Sequence, residues 1–144
     1  MDEFGLQRFV EAQDCGHVYV QALRELSLGR KCSHWMWFVF PQIAGLGRSE
    51  PARRFAISGL AEAKAYLAHP VLGPRLRDCS RLLLRLPTTD AISVLGFTDA
   101  TKLRSSMTLF AEAAPQEQLF REVLEQFFAG EPDIATTNAL AATP

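Results

Sequence analysis

The run Arg30-Lys31-Cys32-Ser33-His34-Trp35-Met36-Trp37-Phe38-Val39-Phe40-Pro41-Gln42 gathers both tryptophans of the chain beside two cations, a histidine and an amide. Indole faces stack flat groups and neighbouring cations neutralise charge, so the mixture suits a planar, anionic ligand. His34 can donate to a phosphate or serve as acid or base. Helical spacing puts Trp35 with Phe38 and Trp37 with Phe40, so one pair can be core while the other lines a cleft. The competing reading buries both indoles and leaves His34 to cap or bond backbone. Arg30 and Lys31 follow Gly29 and precede an expected helix start, where free N–H groups would help to hold an anion. As a bare surface pair they would be only a solvated face. The Gly45-Leu46-Gly47-Arg48-Ser49 loop adds a cation and the hydroxyl of Ser49, without the spacing of a P-loop.

A second polar string, Asp99 to Thr108, carries Asp99, Lys102 and Ser106 at spacings of three and four. One helix face can present all three, a carboxylate, an ammonium and a hydroxyl converging on a polar ligand, with Ser105 beside them. The plainer reading is an i, i+3 ion pair and a small residue that lets helices approach. HExxH, GxSxG, Walker and paired Cys/His spacings are all absent, so neither a metal, a cofactor nor a serine-hydrolase triad is expected. Cys32 beside Lys31 has no second signal of reactivity.

The elements that must position these residues read as helices. Leu6, Phe9, Val10 and Gln13 mark a first; Tyr19, Leu23 and Leu26 a second, closed by Gly29. Ser33 is expected to cap a short helix from His34 to Phe40, with a buried strand as the alternative for that aromatic run. Ile43 to Arg54 reads as a loop. Further helices are expected from Gly59 to Ala68 with Ser58 as cap, from Pro70 to Leu86, after Asp90, after Thr98, and from Pro115 to Gly130. The expectation is an all-α, compact, single-domain multihelical bundle of about six to eight helices over residues 1–144. Residues 133–144 form a polar, partly ordered tail with a turn near Ala135 to Leu140.

With 144 residues, 48% hydrophobic and a net charge of −1, the chain suits one domain with a real core and carries no global basic field, so no nucleic acid is expected. Its three cysteines form no paired spacing, which points to reduced thiols and a cytoplasmic setting. The N-terminus has no apolar signal region, and the longest apolar run, Trp35 to Phe40, is too short to span a bilayer, so no membrane is expected.

The chain resembles the family known as domain of unknown function 1810. The likeness rests on Arg8-Phe9 with Ala12-Gln13, Gly29-Arg30-Lys31, the His34-Trp35-Met36-Trp37 string, Phe40-Pro41-Gln42, Gly45-Leu46-Gly47, Tyr66-Leu67, His69-Pro70 and Ser105-Ser106-Met107-Thr108-Leu109-Phe110. One departure is Phe55, where the family pattern usually has Tyr. The resemblance implies a small, mainly helical fold and supplies no activity. The order of parts is also similar to the NADAR family, which acts on N-glycosidic bonds of ribosyl substrates. By that analogy the two strings meet in one cleft that binds a phosphorylated ribosyl or nucleotide-like (ADP-ribose-type) small molecule. Arg30, Lys31 and Lys102 would handle its anionic groups, Trp35 or Trp37 would stack the base, and Gln42, Ser49, Ser105 and Ser106 would contribute polar contacts. If the chain is an enzyme, it would be a hydrolase of N-glycosidic bonds, with Asp99 or Glu62 stabilising an oxocarbenium ion and His34 assisting. The alternative is a non-catalytic module that docks a protein on the same aromatic surface. Oligomeric state is left open.

Overall fold

A computed structural model of the chain describes residues 2–142, and the tail expected to reach residue 144 therefore lies partly outside the described residues. Among the described residues ten α-helices follow one another: α1 (Gln7–Asp14), α2 (Val18–Leu28), α3 (Met36–Val39), α4 (Glu50–Arg54), α5 (Leu60–Ala68), α6 (Leu72–Leu84), α7 (Ala91–Leu95), α8 (Phe97–Ala113), α9 (Leu119–Phe128) and α10 (Ile134–Ala142). The all-α class is as expected. The count exceeds six to eight because α3, α4 and α7 are single turns. Ile43 and Ile57 form one isolated parallel bridge, and the aromatic run at α3 is helical.

Local chemistry sets the boundaries. Gly29 closes α2 with φ 76°, a left-handed conformation that glycine adopts without a Cβ penalty. Asp90 caps α7 by accepting from the N–H groups of Ile92 and Ser93. Other starts differ from expectation. Trp35, not Ser33, stands at the N-cap of α3, because the Ser33 side chain is drawn to Glu25. Ser58 does not cap α5; instead Glu62 reaches back to its N–H and hydroxyl, at 2.9 and 2.8 Å. Helix α8 starts at Phe97 rather than after Thr98, and α9 starts at Leu119, four residues beyond Pro115. The segment expected to be a loop contains α4, capped by Ser49 accepting from Ala52 N–H. The C-terminal segment forms a full helix, because Asp133 accepts from the N–H and hydroxyl of Thr136 and ties to Ser105 on α8.

The long α8 is the axis against which α5, α7, α9 and α10 pack. Leu103, Met107 and Phe110 on it are fully buried. An aromatic chain runs through the core, from Phe120 to Phe110, Tyr66, Phe9 and Phe55, at centroid spacings of 5.1–5.9 Å. Such tilted and edge contacts suit ring quadrupoles.

The α5–α6 junction is tight at Gly73. A Cβ there would stand 2.2 Å from the Leu67 carbonyl oxygen and 2.9 Å from Arg77 Nη1. Backbone must move to admit it, so Gly73→Ala should destabilise by about 1–3 kcal/mol despite alanine's better helix propensity. Thermal melts of the two proteins test this; an unchanged or raised Tm would refute the steric argument.

Candidate functional site

The geometry around the tryptophans is built by a residue outside both polar strings. Glu25 sits on the buried side of α2 with Ala22 and Leu26. Its Oε1 accepts from the N–H of Cys32 (2.7 Å), the N–H of Ser33 (3.0 Å) and Trp35 Nε1 (2.9 Å). Its Oε2 accepts from Ser33 Oγ (2.5 Å) and Gln21 Nε2 (2.9 Å). Burial pushes this carboxyl upward, but the bonds from Ser33, Cys32, Gln21 and Trp35 outweigh it and hold the pKa at about 2. A permanent carboxylate therefore folds residues 30–35 around itself and fixes one indole.

That loop delivers Lys31 to α8. Lys31 Nζ lies 2.8 Å from Asp99 Oδ2 and also donates to the Ser33 carbonyl. Lys102 Nζ lies 3.5 Å from the other oxygen of Asp99. The two ammonium groups also lie over the indoles, Lys31 at 5.0 Å from the Trp35 centroid and Lys102 at 4.7 Å from that of Trp37. Two cations against one carboxylate leave one positive charge beside the half-buried Trp37. The same indole forms a wall of a groove of about 490 Å³ lined also by Ala12, Cys15, Phe38, Glu50, Arg54 and Phe55.

Lys31, Asp99, Lys102 and Trp37 are thus brought together. The rest of the expected set is placed otherwise. Trp35 is fully buried, with its N–H spent on Glu25, and offers no face to a ligand. The expected pairing is not kept: Phe40 is fully buried and packs against Trp35 at 6.3 Å, while Phe38 joins Trp37 along the groove. Glu62 is buried on α5, 2.9 Å from Arg8 Nη2, away from the Lys31–Asp99–Lys102 group. Ser49 caps α4. Ser105 bonds to the Thr101 carbonyl and to Asp133, on the side of α8 that receives α10. Arg30 is exposed, and its backbone N–H closes α2 by donating to the Glu25 carbonyl. His34 is exposed and makes no hydrogen bond or ion pair among the described residues. The Gln42 carbonyl accepts from Ile57 N–H. Ser106 shares the helix face of Asp99 and Lys102 but is fully buried, and its Oγ has no partner among the described residues. Ser80, Ser105 and Thr108 each bond back to the carbonyl four residues earlier; Ser106 does not.

Sequence reasoning missed Glu25 and the groove residues Glu50, Arg54 and Cys15. The signal for Glu25 was a charged residue within the apolar stripe of Ala22 and Leu26. Phe55, the position that departs from the family pattern, is itself a wall of the groove. The cysteines are free thiols, Cys15 and Cys32 exposed and Cys79 buried, where burial raises its pKa to about 12. Among the described residues no helix is long and apolar enough to cross a membrane.

A family model for a protein of unknown function (DUF1810) matches residues 3–140. The fold is also that of a solved crystal structure, the conserved hypothetical protein Rv1873 from Mycobacterium tuberculosis. That protein is 47% identical, with 99% of this chain and 100% of that chain covered and a TM-score of 0.95. No curated protein matches the chain.

Proposed function

The chain belongs to the DUF1810 family, and from that premise we propose that it binds a phosphorylated ribosyl or nucleotide-like small molecule against Trp37. The observation that carries this reading is the meeting of Lys31, Asp99 and Lys102 beside an indole that also walls a groove. The base would lie against the aromatic side of the groove, formed by Trp37, Phe38 and Phe55. The phosphate would take the surplus positive charge of the two lysines on the Trp37 side, outside the groove wall, where Arg54 is opposed by Glu11 and Glu50. Of the two carboxylates considered for stabilising an oxocarbenium ion, only Asp99 stands here. It is held by two ammonium groups, which suits anchoring of the lysines better than attack on a glycosidic bond. Binding is therefore the primary reading, and N-glycosidic cleavage is a secondary one resting on Asp99 alone. The ligand class is proposed by analogy with the order of parts in NADAR proteins.

The test is a titration with ADP-ribose, NAD and simple nucleotides, followed by tryptophan fluorescence. With Trp35 sealed in the core, the quench should come from Trp37 and vanish in Trp37→Phe. Lys102→Ala should cost the fold no more than about 2.5 kcal/mol, the sum of an i, i+3 ion pair and a partly desolvated cation–π contact, since the Lys102 side chain is 19% exposed. The same variant should weaken ligand binding more than about tenfold, from the loss of a charge-assisted contact worth about 1.5–3 kcal/mol. Flat responses to every ligand, with a tight protein complex recovered on a bait that Trp37→Phe abolishes, would replace this reading with the interaction module.

A further inference from the structure

We propose a second anion site, for a small organic phosphate monoester, in the arginine-rimmed groove between α2 and α6. The groove has a volume of about 400 Å³ and is lined by Leu23, Arg24 and Ser27 from α2 and by Asp78, Arg81, Leu82 and Arg85 from α6 and its C-terminal end. It shares no residue with the Trp37 groove.

Three arginines and one aspartate line the α2–α6 groove. The only ion pair among them is Arg81 to Asp78, at 3.2 Å, between side chains that are both more than half exposed. Such an exposed i, i+3 pair is weak, and a ligand can compete for Arg81. Arg24 and Arg85 donate no side-chain hydrogen bond among the described residues. Other arginines of this chain are differently employed. Arg8 donates to four carbonyls and a carboxylate, Arg77 grips Glu117 with two bonds, and Arg53 donates twice to the Arg48 carbonyl.

Helix ends do not account for the charge. Arg75 lies over Tyr19 and Gly29 lies against Leu86, so α2 and α6 run parallel and end side by side. Two adjacent C-termini present about half a negative charge each, which would draw cations. That amounts to about one charge, and the three arginines less Asp78 carry two. Several of the last-turn carbonyls are moreover occupied by backbone. Gly29 N–H bonds to Glu25 and Leu26 carbonyls, and Arg85 N–H to those of Arg81 and Leu82. None of the three guanidiniums donates to them.

After the helix ends are counted the rim keeps a net charge of about +1, which calls for an anion. Over a carboxylate or a singly charged sulfonate, the paired N–H groups of its three guanidiniums favour a phosphate monoester, with three terminal oxygens and up to two charges. Arginine forks suit its tetrahedral oxygens, each taking parallel N–H bonds. Leu23 and Leu82 form an apolar floor, and the volume exceeds what a bare phosphate fills. The occupant is therefore a phosphate that carries an apolar substituent, which rests on the two leucines while the phosphate meets the arginine rim.

Phenyl phosphate is the probe, with inorganic phosphate and benzenesulfonate as comparisons. Binding is read at the Nε–Hε resonances of Arg24, Arg81 and Arg85, so a ligand at Trp37 does not register. The expected result is saturation with Kd of about 1 mM or tighter, weakening as salt is raised. Inorganic phosphate, lacking the apolar part, and benzenesulfonate, lacking the second charge, should each bind at least about threefold more weakly. Arg24→Gln with Arg85→Gln should lose more than about tenfold in affinity, while a folded, native-like spectrum shows that exposed side chains were removed without unfolding. Absence of saturation in the parent protein overturns the site. So does unchanged affinity in the double variant, and equal affinity for inorganic phosphate overturns the organic occupant.

Discussion

Glu25→Ala should destabilise the protein by at least about 3 kcal/mol, which for a domain of this size lowers Tm by about 10 °C. Five donors converge on this carboxylate, among them the buried indole N–H of Trp35 and two backbone N–H groups. Truncation leaves them facing a void, and each buried donor without a partner costs about 1–3 kcal/mol unless water enters. Glu25→Gln is the informative companion. It keeps the shape but presents an amide NH₂ to donors that need an acceptor. The pH dependence follows from the same bonds. The folded pKa of about 2 lies below the ordinary 4.5, so the carboxylate's contribution is complete above pH 4.5 and is lost as pH falls towards 2. The shift corresponds to a contribution on the order of 3 kcal/mol. Urea melts of parent and Glu25→Gln should therefore converge between pH 5 and pH 2. A gap that stays constant over that range would mean that Glu25 is not the charged organiser of the loop. Because residues 30–35 carry Lys31 to Asp99, the same variants should also weaken any ligand held at Trp37.

The class of fold was legible because helical periodicity and cap chemistry are local properties. Gly29, Asp90 and the apolar stripe of Leu103, Met107 and Phe110 act within a turn or two of themselves, and the structure keeps them. Two of the errors at helix starts, at α3 and α5, share one cause. Ser33 and Ser58 have cap-type side chains, but each is claimed by a glutamate, Glu25 across eight residues and Glu62 from within the helix. Propensity cannot register such a competitor. The site was legible in its charges and only half legible in its aromatics. Asp99 and Lys102 meet because they are three apart on one helix, whereas the meeting of Lys31 with Asp99 depends on how a distant loop folds. Spacing could divide Trp35 from Trp37 without saying which faces outward. Glu25 decides that, by taking the Trp35 N–H into the core.

Arg8→Ala should cost about 3–5 kcal/mol, because it leaves Glu62 a buried charge without its cation, held only by Ser58. The Glu62 side chain is only 4% exposed. Arg8 also donates to the carbonyls of Phe4, Gly5, Arg54 and Ala56 and lies over the Phe9 ring at 4.3 Å, so it ties the start of α1 to the end of α4. Glu62→Gln should cost less, about 1–3 kcal/mol, since Arg8 keeps its four carbonyls and remains partly solvated. The double variant should then be more stable than the two single losses added together, by about 1 kcal/mol or more, because the stranded charge is gone. Denaturant melts of the four proteins give this coupling directly. Additive losses would dissolve the ion-pair argument. The same set decides the role of Glu62. If it is architecture, folded Glu62→Gln protein binds nucleotide-like ligands as the parent does, with its deficit confined to stability. If ligand affinity or turnover falls while Tm is unchanged, Glu62 reaches the ligand after all, and the placement of the site at Trp37, Lys31, Asp99 and Lys102 must be redrawn around α5.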